Sequence, residues 1–181
     1  EMCIRDSLEF TWIKGSTLEE LINFTIEKYE ESNIALIQKI PTPIKPININ
    51  HDTRQITLAY FDKKSNVDYI GVVQGIPVCF DAKECDGDTF SLQNVHRHQI
   101  DFMEKFEGQK GISVILLYFS LRDEAYYLPY RDIRYFYDRA ADGGRKSFRY
   151  DEIDKNYLIR RSQGVPLHFL EALNLDLCSR N

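Results

Sequence analysis

The sequence lacks a long apolar run, a cysteine pair spaced like a metal site, and a surplus of positive charge. Its most continuous apolar stretch, 112–119, is the length of one strand and contains a serine, so no membrane span is expected. The four cysteines show no CxxC spacing and the first residues lack the order of a secretion signal, which favours the cytoplasm. With 28 acidic against 23 basic residues, a nucleic-acid binder that is basic throughout is disfavoured.

The residues that are present describe one folded domain. The chain has 181 residues, of which 43% are hydrophobic, with 11 Tyr and 11 Phe, enough to bury a core. Residues 1–7 are polar and unpatterned, and residues 1–15 are expected to be a partly foreign or disordered segment. Residues 16–181 are therefore taken as a single domain.

The net charge of −5 is unevenly distributed. Residues 1–37 carry 3 basic and 8 acidic side chains, and residues 65–90 carry 1 and 5. Between them, residues 38–64 carry 5 basic and 2 acidic side chains. Opposed blocks of this kind are compatible with a polyanion track beside a pocket that collects cations, although solvated faces are the commoner cause.

The hydrophobic pattern predicts a mixed α/β sheet with helices on both faces. A first helix over 17–31 follows the capping-box pattern Ser16-Thr17-Leu18-Glu19. The prolines between 41 and 46 should carry the chain out of the sheet as an extended arm. Further strands are predicted at 34–40, 55–61, 69–73, 76–80, 111–119 (central) and 125–130, and further helices at 93–106, 131–138, 150–155 and 166–174.

Two aspartates lie symmetrically about a predicted hairpin turn. If Gln74-Gly75 is the turn, Asp68 and Asp81 oppose each other with Cβ atoms about 5 Å apart. A divalent cation would relieve their repulsion, and oxygen-only ligands suit Mg²⁺. Lys83 shares the face of Asp81 and could steady a phosphate as charge develops. Spacing alone favours an ion-paired surface hairpin, because Asp-x-Lys is a common pattern.

Asp68 followed by Asp81-Ala82-Lys83 resembles the PD-(D/E)XK nuclease signature. The surrounding sequence is similar to the RecU family, the Holliday junction resolvases of Gram-positive bacteria and some of their phages. Six blocks in the family's order carry this resemblance: 17–23 (TLEELIN), 39–44 (KIPTPI), 65–71 (SNVDYIG), 80–84 (FDAKE), 92–99 (LQNVHRHQ) and 144–147 (GRKS).

The resemblance implies a restriction-endonuclease-like sheet flanked by helices, and a specific catalytic site. Lys83, Asp68 and Asp81 would be catalytic, and Mg²⁺, with Mn²⁺ as the alternative, would be held by Asn66, Asp68, Asp81 and Gln99. The family usually has glutamate at Asp81 and threonine at Asn66. The acidic residue Glu19 would either cap the first helix or support the metal from its outer shell.

The resemblance also implies a protruding stalk at about 41–55 that enters the centre of a four-way junction in a homodimer. The implied activity is Mg²⁺-dependent resolution of four-way DNA junctions, with recombinase or branch-migration proteins as further partners. Two other hypotheses stay open: a catalytically weak protein that binds junctions or modulates a recombinase, and a restriction-type nuclease that cuts ordinary duplex. The basic residues expected to contact phosphates are Lys39, Lys45, Arg54, Lys63, Lys64, Arg145, Lys146 and Arg149.

Overall fold

The computed structural model describes residues 17–61, 66–162 and 164–180, and these contain four α-helices and eleven β-strands. The segment expected to be foreign or disordered, 1–15, lies outside them. The helices are α1 (Leu18–Glu31), α2 (Arg97–Gly108), α3 (Tyr130–Ala141) and α4 (Leu170–Ser179). The strands are β1 (Ala35–Lys39), β2 (Ile44–Asn50), β3 (Gln55–Phe61), β4 (Tyr69–Val73), β5 (Ile76–Cys85), β6 (Thr89–Ser91), β7 (Ile112–Phe119), β8 (Glu124–Pro129), β9 (Ser147–Arg149), β10 (Leu158–Ser162) and β11 (Val165–His168).

Seven strands form one mixed sheet in the order β1-β4-β5-β7-β8-β10-β11. β5 and β7 run parallel, and the other neighbouring pairs are antiparallel. A parallel pair needs a crossover connection, which the chain makes through α2. The apolar strand β7 is central, as its sequence predicts, and the predicted α/β class is confirmed.

The two faces of the sheet bury separate cores. Side chains alternate along β5, so that Val78 and Phe80 pack in the core formed with α1 and α4. Cys79 packs in the second core, formed with α2 and α3, and Asp81 points to that same side. The acidic side chain of β5 therefore faces the beginning of α2.

The hairpin between β4 and β5 has the register that its sequence predicts. Gln74 and Gly75 have φ angles of 47° and 88°, the left-handed values of a type I′ turn. Val73 pairs with Ile76, and the pairing continues regularly along the hairpin to its far end at Tyr69 and Phe80. Asp68 and Asp81 occupy the next position on each side.

Helix α1 begins with a capping box one residue later than predicted. The Thr17 side chain accepts the N–H of Glu20, and the Glu20 carboxylate accepts the N–H of Thr17 at 2.8 Å. Because Glu20 fills the third helical position, the expectation that Glu19 caps the helix is wrong. Glu19 instead forms an ion pair with Lys39 at the end of β1.

β2 and β3 form a separate two-stranded ribbon. The expectation that residues 55–61 return to the main sheet is wrong, since β3 pairs only with β2 along the described residues. Pro46 lies within β2, opposite Ala59, and a two-stranded ribbon has a free edge where a missing N–H is tolerated. The segment expected as a stalk at 41–55 is thus β2 with the ribbon's turn, and β2 is exposed along its whole length.

Several short elements differ from the sequence expectations. The helix predicted at 93–106 is a 3₁₀ turn at Leu92–Asn94 followed by α2, and the one predicted at 150–155 is two 3₁₀ turns, Tyr150–Glu152 and Lys155–Tyr157. The helix predicted at 166–174 is divided between β11 and α4. These pieces are too short to show a period of their own, so pairing partners decide their conformation. Among the described residues, no helix is long and apolar enough to cross a bilayer.

Candidate active site

Asp68 and Asp81 meet at the open end of the β4–β5 hairpin. Asp68 directly precedes β4, is partly exposed, and accepts the backbone N–H of Ala82 at 3.0 Å through its Oδ2. Asp81 lies within β5 and is fully buried. The hydrogen bond to Ala82 fixes the Asp68 carboxylate beside the strand segment that carries Asp81.

Lys83 and Gln99 both donate to the same oxygen of Asp81. The Lys83 ammonium lies 2.7 Å from Oδ2, and the Gln99 side-chain amide donates to Oδ2 at 2.8 Å. The other oxygen, Oδ1, is buried and has no hydrogen-bond partner in the described structure. Burying a carboxylate oxygen without a hydrogen-bond donor costs free energy, so Asp81 Oδ1 is a candidate ligand atom for a cation.

The electrostatics of the site favour proton or cation uptake at Asp81. Burial raises the pKa of the Asp81 carboxyl from its ordinary 3.8 to about 7. The neighbouring Asp68 carboxylate acts in the same direction, whereas the Lys83 ammonium opposes it. Two carboxylates in such proximity gain from a shared cation, because it offsets both desolvation and mutual repulsion.

Gln99 reaches the site from the first turn of α2. Its Oε1 accepts the backbone N–H of His96 at 2.9 Å, which satisfies one of the helix's unpaired donors, and its Nε2 is left to face Asp81. The side chain is almost completely buried. The start of α2 therefore fixes the orientation of the Gln99 side chain. In this orientation the side chain holds Asp81, and it could also complete the water shell of a bound cation.

The donor set fits a hard divalent cation that keeps several waters. Among the described residues there is no group of three or more His, Cys, Asp or Glu side chains arranged to hold a metal, so an all-protein cage is absent there. One or two carboxylates are what Mg²⁺ takes when it retains water, and the unpaired Oδ1 of Asp81 supplies a free ligand atom. The Gln99 amide presents its N–H to Asp81, so in this orientation it is a donor beside the carboxylates and not a ligand. Asn66 is exposed, two residues before Asp68.

The basic residues expected on the ribbon lie where they are accessible. Lys45 lies in β2, and Arg54 lies in the turn at the tip with a left-handed φ of 55°. Lys39, at the base, is engaged by Glu19. Lys63 and Lys64 lie outside the described residues.

The second expected basic stretch, 145–149, is held by an acidic residue. Arg145 donates to Glu152 Oε2 at 3.1 Å, and the backbone N–H of Arg149 donates to the same oxygen at 2.8 Å. The carbonyl of Lys146 accepts the N–H of Leu92 at 3.1 Å. This segment, which runs into strand β9, therefore lies beside the segment that leads into α2 and Gln99.

The sequence analysis did not single out Glu84, which lies next to Lys83. Its side chain accepts the backbone N–H of Leu18, the first residue of α1, at 3.1 Å. A contact across 66 positions leaves no local sequence signal. Only its position one residue beyond the Asp-x-Lys pattern could have drawn attention to it.

A mixed sheet whose hairpin presents two carboxylates and a lysine beside a helical glutamine is the arrangement of restriction-endonuclease-like nucleases. A family model described as RecU, recombination protein U, matches residues 13–175. The chain belongs to this family. A Holliday junction resolvase RecU from Oceanobacillus iheyensis is 40% identical over 165 residues, covering 89% of this chain and 82% of that protein. One from Staphylococcus aureus is 39% identical over 166 residues, covering 89% and 80%.

Proposed function

We propose that this protein is an endonuclease that resolves four-way (Holliday) DNA junctions in recombination and repair. The observation that carries the proposal is the buried Asp81, which has one oxygen bound by Lys83 and Gln99 and the other unpaired beside Asp68. Relatives named Holliday junction resolvase RecU, which match most of the chain, supply the substrate class.

Asp68 and Asp81 would hold the divalent cation, with Gln99 and Asn66 completing its ligand or water shell. Mg²⁺ is the proposed ion and Mn²⁺ the alternative. When bound, such an ion polarises the scissile phosphate and lowers the pKa of the attacking water. Asp81 is well suited to this role because its burial penalises an uncompensated negative charge.

Lys83 would act on the phosphate itself. Its ammonium is anchored by Asp81 and its side chain is mostly buried, so the positive charge is held in place before substrate arrives. A fixed donor is worth more than a mobile one, because no reorganisation is needed as negative charge builds on the phosphate oxygens. Gln99 holds the Asp81 carboxylate, and this carboxylate in turn holds the Lys83 ammonium in the site.

The DNA would follow two basic surfaces. Lys39, Lys45 and Arg54, with Lys63 and Lys64, would place the β2–β3 ribbon in the junction centre as a stalk. Arg145, Lys146 and Arg149 would contact the backbone beside α2. Where these cations now pair with acids, as Lys39 does with Glu19, phosphates would replace the acids as partners.

The working form would be a homodimer in the cytoplasm. Cuts in two strands need two active sites related by a two-fold axis, and one chain supplies one pair of carboxylates. Recombinase or branch-migration proteins would be further partners, since a resolvase acts on junctions that they create or move.

Cleavage assays test the proposal directly. Labelled four-way junction and linear duplex of matched sequence are incubated with the protein in Mg²⁺ or in EDTA. Junction cutting that needs the metal and falls by about 10²-fold or more in Lys83→Ala supports it. Lys105→Ala, which removes an exposed lysine from the far end of α2, is the matched control and should cut normally.

Three outcomes separate the candidate functions. Nicks in the junction alone support resolution. Binding without cutting in either Mg²⁺ or Mn²⁺ would indicate a junction-binding or recombinase-modulating protein, and equal cutting of linear duplex would indicate a restriction-type nuclease.

A further inference from the structure

Along the described residues, the half of β5 that carries Asp81 and Lys83 has a strand neighbour on only one edge. Pairing with β4 ends at Phe80, whereas pairing with β7 continues to Cys85. On the β4 side, within the described residues, Asp68 holds Ala82 through a single hydrogen bond. The segment bearing Asp81 and Lys83 therefore lacks half of the ladder that normally fixes a strand in a sheet.

Glu84 fixes this segment of β5 through a second hydrogen bond, made on the opposite face of the sheet. Side chains alternate along β5, so Glu84 points away from Lys83 and Asp81 and toward α1. Its Oε1 accepts the N–H of Leu18 at 3.1 Å. Leu18 opens α1, and the N–H groups of a helix's first turn have no acceptor within the helix.

The first turn of α1 is itself well fixed, so it can serve as an anchor. Thr17 and Glu20 satisfy each other's N–H groups without help from β5. Glu19, in the same turn, pairs with Lys39 at the end of β1. One turn further, Asn23 accepts the hydroxyl of Tyr69, the residue after Asp68, at 3.0 Å. The helix thus contacts both strands of the catalytic hairpin and the base of the β2–β3 ribbon.

We propose that Glu84 is a positioning residue for cleavage, which holds the Lys83 end of β5 against the first turn of α1. This inference rests on the proposed nuclease function. Glu84 touches neither the substrate nor the metal ligands; it limits how far Lys83 moves relative to Asp68. An ammonium displaced by a fraction of an ångström loses its alignment with the developing charge, so the turnover step suffers while binding does not.

The experiment compares single-turnover junction cleavage by the wild-type chain and three variants. Glu84→Ala removes the tie. Glu84→Gln keeps a side-chain carbonyl that can accept the Leu18 N–H. Ile26→Val loosens the packing of the same helix beyond its first turn, without touching β5 or the capping box. For each protein the maximal cleavage rate, the half-saturating protein concentration and the midpoint of thermal unfolding are measured in Mg²⁺.

Glu84→Ala is expected to lower the maximal rate about tenfold with unchanged half-saturation, and Glu84→Gln to recover most of the loss. Ile26→Val should lower the unfolding midpoint but leave the rate within about twofold of wild type. The proposal is overturned if Glu84→Ala cuts at the wild-type rate, if its defect lies in half-saturation alone, or if Ile26→Val loses as much rate. A wild-type chain that cuts no junction would instead refute the nuclease function itself.

Discussion

Asp81 is a carboxylate kept in the interior of the sheet, which is an expensive arrangement unless a cation completes it. Lys83 and Gln99 satisfy one of its oxygens, and burial still holds its pKa near 7. If Asp81 binds the proposed ion, it trades stability of the metal-free protein for affinity toward that ion. The cost should be visible in the pH dependence of unfolding.

The raised pKa of Asp81 sets the sign of that dependence. A carboxyl with a folded pKa above its unfolded one binds its proton more tightly in the folded state, so stability falls as pH rises between the two values. With a shift from 3.8 to about 7, the loss develops between pH 4 and 7.

Asp81→Asn should therefore abolish this loss in the metal-free protein. In EDTA, we expect the variant to gain on the order of 2 kcal/mol over wild type between pH 5 and pH 8. Urea unfolding at the two pH values measures the difference, with Asp138→Asn, at an exposed ion pair on α3, as the control. Parallel stability curves for wild type and Asp81→Asn would show that the buried carboxyl is not strained.

At the scale of elements, the C-terminal helix α4 is tied to the sheet by a buried charge. Asp176 is fully buried and accepts from Tyr127 of β8 at 2.9 Å, from Arg180 at 2.9 Å, and from Arg131 of α3. Burial alone would raise the pKa of Asp176, but these donors bring it below its ordinary value. Two cations and a hydroxyl thus compensate one buried anion.

Removing the Asp176 carboxylate should weaken the packing of α4 against the sheet. Asp176→Ala removes the shared acceptor of Arg131, Arg180 and the buried Tyr127 hydroxyl, and we expect a loss of about 1.5–3 kcal/mol in the free energy of unfolding. Asp138→Ala, at an exposed pair, should cost about 1 kcal/mol or less. Chemical denaturation at pH 7 compares the two variants, and equal effects of the two changes would contradict the assigned role.

The lowered pKa of Asp176 also sets a pH dependence. Because the pKa is lower in the folded state, the stability that Asp176 provides is lost as pH falls below about 4.

Elements with a strong local pattern were predictable, and those that depend on distant partners were not. The apolar pattern predicted helix α1 and strand β7, and the Gln74-Gly75 dipeptide predicted the β4–β5 hairpin. The register of that hairpin predicted in turn that Asp68 and Asp81 lie close together. Strand β2 was missed because proline argues against a strand, yet an exposed two-stranded ribbon tolerates Pro46.

The candidate site was predictable to the same extent. The proximity of Asp68, Asp81 and Lys83 follows from the hairpin register and strand alternation, whereas only the resemblance to the RecU family favoured their proposed roles. The tie from Glu84 to Leu18 and the orientation of Gln99 could not be foreseen, since both depend on where helices dock on the sheet. The Asp176 anchor is of the same kind: it joins residues 45 and 49 positions apart.

For the whole molecule, the net charge of −5 would by itself argue against a DNA partner. The acidic side chains are concentrated on α1 and around the β4–β5 hairpin, where a cation bound at the proposed site would offset part of the charge of Asp68 and Asp81. The exposed ribbon and the segment 145–149 carry basic side chains. Binding should therefore weaken with salt in proportion to the few phosphate contacts that these cations make.

The most direct test is to map the cuts on a static four-way junction with each of its four strands labelled in turn. The account predicts metal-dependent nicks in two strands of like polarity, at positions symmetric about the crossover, that disappear in Asp81→Asn although this variant still binds the junction. A wild-type protein that binds the junction but leaves all four strands intact in Mg²⁺ and Mn²⁺, or that nicks linear duplex equally well, would contradict it.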